Sequence, residues 1–426
     1  MMRQTFKKTN FASLLVVSIV LSAPVLAQSA AERAANAGEL LTVKNFQVLR
    51  LHGANIKERG FAHGYLLAEQ VRNDLEGSLN SLPYFSAKKF TDRLVPWSKD
   101  HFEWDADSRA ELDGIYEGML ARLGVDGMHS KTLGRALTRD DLTGINVIAD
   151  YYGPACSAFA AWDKRTADGG VVHGRTLDFP IGPKAIVDQV IVVSDAMPDR
   201  GENAPTRKAW IAIGWPGMVT EYTGINADGL IVCLHDADNF KPGRVSGRAE
   251  PRGLLLRRML ESIDPMAGDP ARKAATMAAA GPTACGNLFQ LTWPREAALK
   301  TSTTPSAILE FDPSDQEVQI RRMDDSGALV LTNHFRVRNE PDECKRFTSI
   351  TNGLASFLTS NRTIGVIESR KLLMSAEQPV AAHSVYFFPD KREFYLAYTH
   401  NNVMSPSVAP TKFTMDELFG KVQTSN

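Results

Sequence analysis

Cys156 lies in Gly153-Pro-Ala-Cys-Ser-Ala-Phe-Ala-Ala-Trp162, directly after three small residues. Two apolar runs, at 158–162 and 171–174, flank Ala167-Asp-Gly-Gly170, and Asp-Gly is a strong hairpin signal. Folding the chain at 168/169 brings Cys156 and Asp178 to one open end. In that register Asp178 opposes Phe159, about 10 Å along the strand from Cys156. Arg175 and Asp178 are an odd number of residues apart, so both serve one site only if a bulge or strand end falls near Thr176. The small residues before Cys156 suggest an exposed, cleavable junction. A cut between Ala155 and Cys156 would leave Cys156 with both a thiol and a free α-amine. That amine, with an ordinary pKa of about 7.7–8.0, is a general base for its own side chain. One residue then supplies nucleophile and base. The Asp178 carboxylate and the Arg175 guanidinium are suited to orienting the amine and holding the thiolate. The same residues fit a buried structural cysteine in a hairpin equally well.

The elements that must position these groups follow from periodicity. Residues 28 to about 150 read as mostly helical: Ala-rich 30–41, then apolar residues at helical spacing over 64–79 and 108–123, the latter capped by Asp107 or Ser108, and a last segment at 142–148. From Gly153-Pro154 onward, short β-type runs alternate with turns, at 158–162, 171–174, 189–194, 210–214 and 229–234. Helical patterns follow at 253–262 and 271–280, then strands at 287–291, 307–311, 318–322 and 328–332. Helices at 343–357 and 366–374 precede a closing hairpin, 384–388 and 393–398. Strands, helices, strands, helices, strands is the order of an α+β or layered helix–sheet–sheet–helix protein, not of a doubly wound parallel sheet.

Composition narrows the function classes. The chain has 426 residues, 43% hydrophobic, with 48 Lys plus Arg against 49 Asp plus Glu. That excludes disorder and leaves no basic excess for nucleic acid. There is no G-x-S-x-G elbow, H-E-x-x-H, C-x-x-C, P-loop or G-x-G-x-x-G, so no local signature points to a serine hydrolase of that type, a metal or a nucleotide. His63, His173, His235 and His334 sit beside apolar residues, without metal spacing. Arg3, Lys7 and Lys8, the apolar run 14–21, and Val25 and Ala27 before Gln28 form the three parts of a secretory signal peptide, 1–27. The run is too short to span a bilayer comfortably. The mature protein is therefore expected to be exported, most simply to a periplasm, with no stable membrane span.

Cys156-Ser-Ala-Phe followed by Gly174-Arg175-Thr-Leu-Asp178-Phe179 resembles the C-S/T-x-F … G-R-x-x-D-F signature of cysteine N-terminal nucleophile hydrolases. The match is best with peptidase family C45, the acyl-coenzyme A:6-aminopenicillanic acid acyltransferase group. The likeness recurs. Arg59-Gly-Phe-Ala-His-Gly-Tyr-Leu-Leu-Ala68 is similar to the family's propeptide helix, and Thr223-Gly-Ile-Asn-Ala-Asp-Gly-Leu230 to its T-G-I-N turn. Cys285-Gly-Asn287 stands where S-G-N is usual, and Leu331-Thr-Asn333-His-Phe335 resembles a T-N-H-F strand end, with Arg346 after it.

The resemblance implies a four-layer αββα N-terminal nucleophile hydrolase sandwich: a helical pro-region or α chain, 28–155, and a catalytic β chain, 156–426. It implies autocleavage between Ala155 and Cys156, with Cys156 as nucleophile, Asp178 on its amine, Arg175 beside the thiol and Asn333 donating to the oxyanion. No metal or organic cofactor is implied. Arg346, Trp215 and Glu221 are further substrate-binding candidates. Arg346 could equally be a surface charge on its helix, and Asn226 and Asn287 read better as turn residues. Two of Cys233, Cys285 and Cys344 could pair in an oxidising compartment.

The expected partners are a small N-acyl substrate and the chain's own N-terminal fragment. Trp162, Phe179, Trp215 and Phe335 lie near site residues in sequence, which suggests an apolar acyl group. The expected reaction is hydrolysis of a linear amide. Acyl transfer to an amine is an alternative, and a non-catalytic envelope binding protein is a rival of another class. Export is tested by N-terminal sequencing of secreted protein, which is expected to begin at Gln28; a chain that keeps residues 1–27 removes the expectation.

Overall fold

The computed structural model describes residues 28–81, 86–179, 186, 188–199, 206–237, 248–314, 317–322, 327–338 and 343–420. The expected signal peptide, 1–27, lies outside the described residues. The strands used below are β1 (Gly38–Val43), β2 (Phe46–Leu51), β3 (Ala155–Asp163), β4 (Gly169–Asp178), β5 (Val190–Ser194), β6 (Trp210–Gly214), β7 (Thr223–Asn226) and β8 (Ile231–Asp236). They continue with β9 (Asn287–Thr292), β10 (Ser306–Phe311), β11 (Gln319–Arg321), β12 (Ala328–Leu331), β13 (Ala381–Phe388), β14 (Glu393–Tyr398) and β15 (Thr411–Thr414). The larger sheet runs β1-β2-β5-β6-β7-β8-β9-β10-β11 and the smaller β12-β3-β4-β13-β14-β15. The β2–β5 pair is parallel and the others are antiparallel.

Strand alternation builds four layers. Along β5, Ile191 and Val193 face the smaller sheet and meet Val385, Phe387 and Phe394, while Val190 and Val192 face the other way. A second inter-sheet cluster joins Ala158, Ala160 and Trp162 to Leu288, Ile308 and Leu329. The outer face of the larger sheet is covered by α1 (Ile56–Leu66), α2 (Ala68–Ser81), α3 (Ala106–Gly127), α4 (Arg252–Ser262) and α5 (Pro270–Ala278). The outer face of the smaller sheet carries α6 (Lys345–Thr359) and α7 (Val366–Met374), whose Ile350, Leu354 and Leu372 pack on Phe159, Val172 and Tyr386. The layer order is helix–sheet–sheet–helix, as the pattern of runs implied.

Three local readings change. The Ala-rich segment is helical only over Ala30–Ala35, and Gly38–Val43 is strand β1. Its antiparallel pairing with β2, which itself joins β5, outweighs its helix propensity there. The T-G-I-N stretch is strand β7, with the turn after it, organised by Asn226 Oδ1 accepting from Asp228 and Leu230 N–H. The long helix is capped by Asp105, whose carboxylate accepts from Ser108 N–H, rather than by Asp107 or Ser108.

The R-G-F-A-H-G segment has a packing explanation. Gly60 and Gly64 of α1 cross Gly114 and Gly118 of α3 with the backbones in contact. An added Cβ would stand 2.2 Å from Glu111 O at Gly60, 2.0 Å from Ile115 O at Gly64 and 2.2 Å from Phe61 O at Gly118. Buried Arg59 donates to Gly53 O, Ser194 Oγ and Asp195 O, tying α1 to the end of β5. Residues before Cys156 therefore supply two strands of the larger sheet and three of the helices over it, α1, α2 and α3. Gly64→Ala or Gly118→Ala is expected to destabilise the protein by on the order of 3 kcal/mol in urea unfolding. Gly281→Ala, with nothing within 4 Å of the new methyl, should stay near the unmodified stability.

Candidate active site

The hairpin β3–β4 sets the site, and its register differs from the simple fold at 168/169. Asp163 pairs with Gly169 and the ladder shifts at Trp162, so Ala155 opposes Asp178 and Cys156 opposes Leu177. The turn closes between Asp163 and Gly169, earlier than 168/169, and two β4 residues, Gly170 and Val171, stand opposite Trp162; the net effect moves Asp178 four positions, to Ala155, and the expected gap of about 10 Å disappears. The strand is regular through Thr176, where the odd Arg175-to-Asp178 spacing called for a bulge or an end, and stops two residues later at Asp178. The bulge at this end is on the facing strand, where β13 shifts between Ala381 and His383 opposite Asp178 and Leu177. Cys156 and Arg175 both point between the sheets, on the face shared by Ala158 and His173.

The Cys156 thiol is fully buried. Arg175 Nη2 donates to it at 3.4 Å and to Leu234 O at 2.9 Å, and Sγ lies 3.8 Å from both Leu234 O and Pro154 O. Burial pushes the thiol's pKa up, while Arg175 and the Asp178 backbone N–H favour the thiolate. Among the described residues Arg175 has no carboxylate partner within ion-pair distance. Its other arm, Nη1, lies 3.3 Å from His383 Nε2. Since an arginine can only donate, that nitrogen is the acceptor, and His383 Nδ1 carries the proton it donates to Gln189 Oε1 at 2.7 Å. Burial and Arg175 hold His383 well below the usual imidazole range, consistent with a neutral ring. No sequence motif marks His383 or Gln189; a histidine inside a mostly apolar strand is the hint the sequence offers.

Asn333 follows the end of β12, whose Leu331 pairs with Ala158, so the ladder carries it alongside Cys156. Its Oδ1 accepts from Cys156 N–H at 2.9 Å, and its Nδ2 donates to Asp236 O at 2.7 Å and Pro154 O at 3.2 Å. Arg346, in the first turn of α6, is not a free surface charge. Its Nη1 donates to Cys156 O at 2.6 Å and Ser157 Oγ at 3.1 Å, and its Nη2 to Asn333 Oδ1 at 2.9 Å. Asp178 is buried, and neither carboxylate oxygen meets a hydrogen-bond partner among the described residues. Burial pushes its pKa up to about 7 against the pull of Arg346 and Arg175.

The remaining candidates separate. Trp215 lines a small cavity of about 30 Å³ with Phe179, Tyr222, Met218 and Ile148, next to Asp178 in the chain, and its ring lies 6.2 Å from His383. Trp162 and Phe335, expected near an acyl group, instead fill the sheet–sheet core. Glu221 has no contact with Cys156, Arg175 or Asn333; it faces Gly214 in the field of Arg257 and Glu111, and burial pushes its pKa up to about 8. All four cysteines are free. No pair forms among Cys233, Cys285 and Cys344, because each is buried in its own setting: Cys233 against His173, Cys285 in the field of Arg252 and Cys344 against Thr332. Asn287 accepts from Arg252 and donates to Cys285 O, a turn role.

No family model matches the chain, and no curated protein matches it. Among solved structures it is similar to a Caenorhabditis elegans N-acylethanolamine-hydrolyzing acid amidase (NAAA) ortholog, at 14% identity and TM-score 0.39, covering 55% of this chain and 93% of that one. It is also similar to a mutant of the conjugated bile acid hydrolase from Clostridium perfringens, at 12% identity and TM-score 0.42, covering 63% and 95%. A third is penicillin V acylase from Agrobacterium tumefaciens, at 14% identity and TM-score 0.38, covering 61% and 85%.

The Asp178 carboxyl gives a stability test in uncut protein. Its folded pKa of about 7 lies above its unfolded value, so the folded chain keeps a proton that the unfolded chain loses first. The stability it contributes is complete at low pH and is lost as pH rises through about 7. Between pH 5 and 8, Cys156→Ala protein is expected to lose on the order of 2 kcal/mol more than Cys156→Ala/Asp178→Asn protein, read by urea unfolding. Equal losses would show that Asp178 does not titrate in this range.

Proposed function

We propose that this protein is an exported cysteine hydrolase of the C45 type, which makes its own nucleophile by cutting Ala155–Cys156 and then cleaves a linear amide through a Cys156 acyl-enzyme. One observation carries the reading. The Cys156 thiol, its backbone nitrogen, the Arg175 guanidinium and the Asn333 amide meet at one strand end, sealed from solvent. A sealed thiol serves no outside substrate. The electrophile nearest to it in the chain is the carbonyl carbon of the preceding peptide bond.

In self-cleavage Cys156 Sγ bonds to the Ala155 carbonyl carbon while the thiol proton passes to the Asp178 carboxylate. Collapse of the tetrahedral centre breaks the Ala155–Cys156 C–N bond, and that proton moves to the departing nitrogen. Water hydrolyses the thioester, leaving an Ala155 carboxyl group and a free thiol. The new α-amine then takes the thiol proton, and the thiolate attacks the substrate carbonyl. The same proton goes to the leaving nitrogen as the amide C–N bond breaks, and water releases the acid. Asn333 Nδ2, which donates to Pro154 O in the uncut chain, is freed to donate to the oxyanion, a contribution of about 3–4 kcal/mol. Arg346, gripping Asn333 Oδ1, aims that amide. No metal or cofactor enters these steps.

Phe179 and Trp215 beside the site favour an apolar acyl group. Outside the cytoplasm, where coenzyme A thioesters are not expected, water is the natural acceptor rather than an amine. The rival reading, a non-catalytic binding protein on this fold, makes the opposite forecast. Purified protein should give two fragments joining at 155/156 by intact mass, and Cys156→Ala should give one. On whichever of the N-acyl amino acids, penicillins, bile conjugates and N-acyl lipids is turned over, Asn333→Ala should lower kcat about 10²- to 10³-fold. A single whole chain whose Cys156 resists alkylation after mild unfolding of the cover supports the rival.

A further inference from the structure

Arg252, at the first position of α4, is fully surrounded by protein and takes no part in the steps above. It gathers three segments. From the stretch just before the proposed cut, Asp150 Oδ1 accepts from Arg252 N–H at 3.1 Å and ion-pairs with Nε at 3.4 Å, and Ala149 O accepts from Nη2. From the end of β8, Asp236 Oδ1 accepts from Nη1 at 2.7 Å. From the turn before β9, Gly286 O accepts from Nη1 at 3.2 Å.

The same strand end serves the site through its main chain. Asp236 O accepts from Asn333 Nδ2 at 2.7 Å, and Leu234 O accepts from Arg175 Nη2 at 2.9 Å. Gly153 is pressed onto the Asp236 carboxylate so closely that an added Cβ would stand 1.9 Å from Oδ2. Arg252 thus fixes both the chain entering the scissile bond and the strand end that holds Asn333 and Arg175. We propose that Arg252, acting through Asp150 and Asp236, is a positioning residue for self-cleavage: it holds the segment at 149–153 so that the Ala155 carbonyl is presented to the Cys156 thiol. Attack on one's own preceding peptide bond demands an orientation a free loop seldom visits, so fixing that loop raises the rate steeply. The geometry also ties the cut N-terminal part to the body, because Ala149 and Asp150 lie upstream of the cut and stay gripped.

This rests on the reading that Ala155–Cys156 is cut by Cys156. The test follows cleavage of the full-length chain by intact mass over time in Asp150→Asn, Arg252→Lys and Gly153→Ala, with Gly64→Ala as a control that loosens a remote helix crossing. In each variant the cut fraction is isolated and the alkylation rate of its Cys156 by iodoacetamide is measured. Asp150→Asn and Gly153→Ala are expected to slow cleavage at least tenfold, with alkylation of the cut form within about twofold of the unmodified protein. Arg252→Lys, which keeps the charge but loses the fork, should also be slow. Cleavage at the unmodified rate in Asp150→Asn and Gly153→Ala overturns the inference alone. So does slowing in Gly64→Ala equal to theirs at equal loss of Tm, since that marks general loosening. An unmodified chain that stays whole overturns the inference and the function together.

Discussion

The register of one hairpin governs everything at the site. Because Ala155 opposes Asp178, the strand that begins at the proposed cut and the strand that ends at a carboxylate finish together. Cys156 and Arg175 then share the inward face, and the pairing of Leu331 with Ala158 brings Asn333 alongside. A one-residue slip would turn Cys156 outward toward α6 and α7. The inter-sheet core resists that slip, because Ala158, Ala160 and Trp162 are buried against the larger sheet on the same face.

Burying a guanidinium without a carboxylate partner is costly. Arg175 is held there by acceptors alone: the Leu234 carbonyl, the neutral His383 ring and the thiol. That arrangement keeps its charge uncommitted and directed at sulfur. Asp178 is the complementary case, a buried carboxyl with no hydrogen-bond partner among the described residues, whose ionisation is opposed by burial. Two other buried arginines are matched with carboxylates: Arg252 with Asp150 and Asp236, Arg257 with Glu111 and Glu261. The contrast sets the thiol's surroundings apart from the structural ion pairs that α4 makes in the outer helical layer.

The chain before Cys156 is built into the body. It gives β1 and β2 to the larger sheet, the Gly-on-Gly crossing of α1 and α3 to the helical layer, and Asp150 to the Arg252 cluster. The division expected at 155/156 is a division of covalent chain, while the sandwich draws strands from both sides of it.

Sequence periodicity and turn signals indicated most of the elements and the layer class and put Cys156, Arg175 and Asp178 on one hairpin, because residue type and local spacing are one-dimensional properties; Asn333 came in only through the family resemblance. Periodicity missed β1, since a stretch read as Ala-rich carries no mark of the antiparallel partner, β2, that makes its second half a strand. It misplaced Trp162, Phe335 and Glu221, since nearness in sequence says nothing about which face of a strand meets which layer. Only the tertiary structure decided the hairpin register, which depends on a turn between Asp163 and Gly169 and on an extra β4 residue opposite Trp162. Only it could set His383 behind Arg175, Arg346 on Asn333 and Arg252 across three segments, because those contacts join residues far apart in the chain through packing that no local pattern encodes.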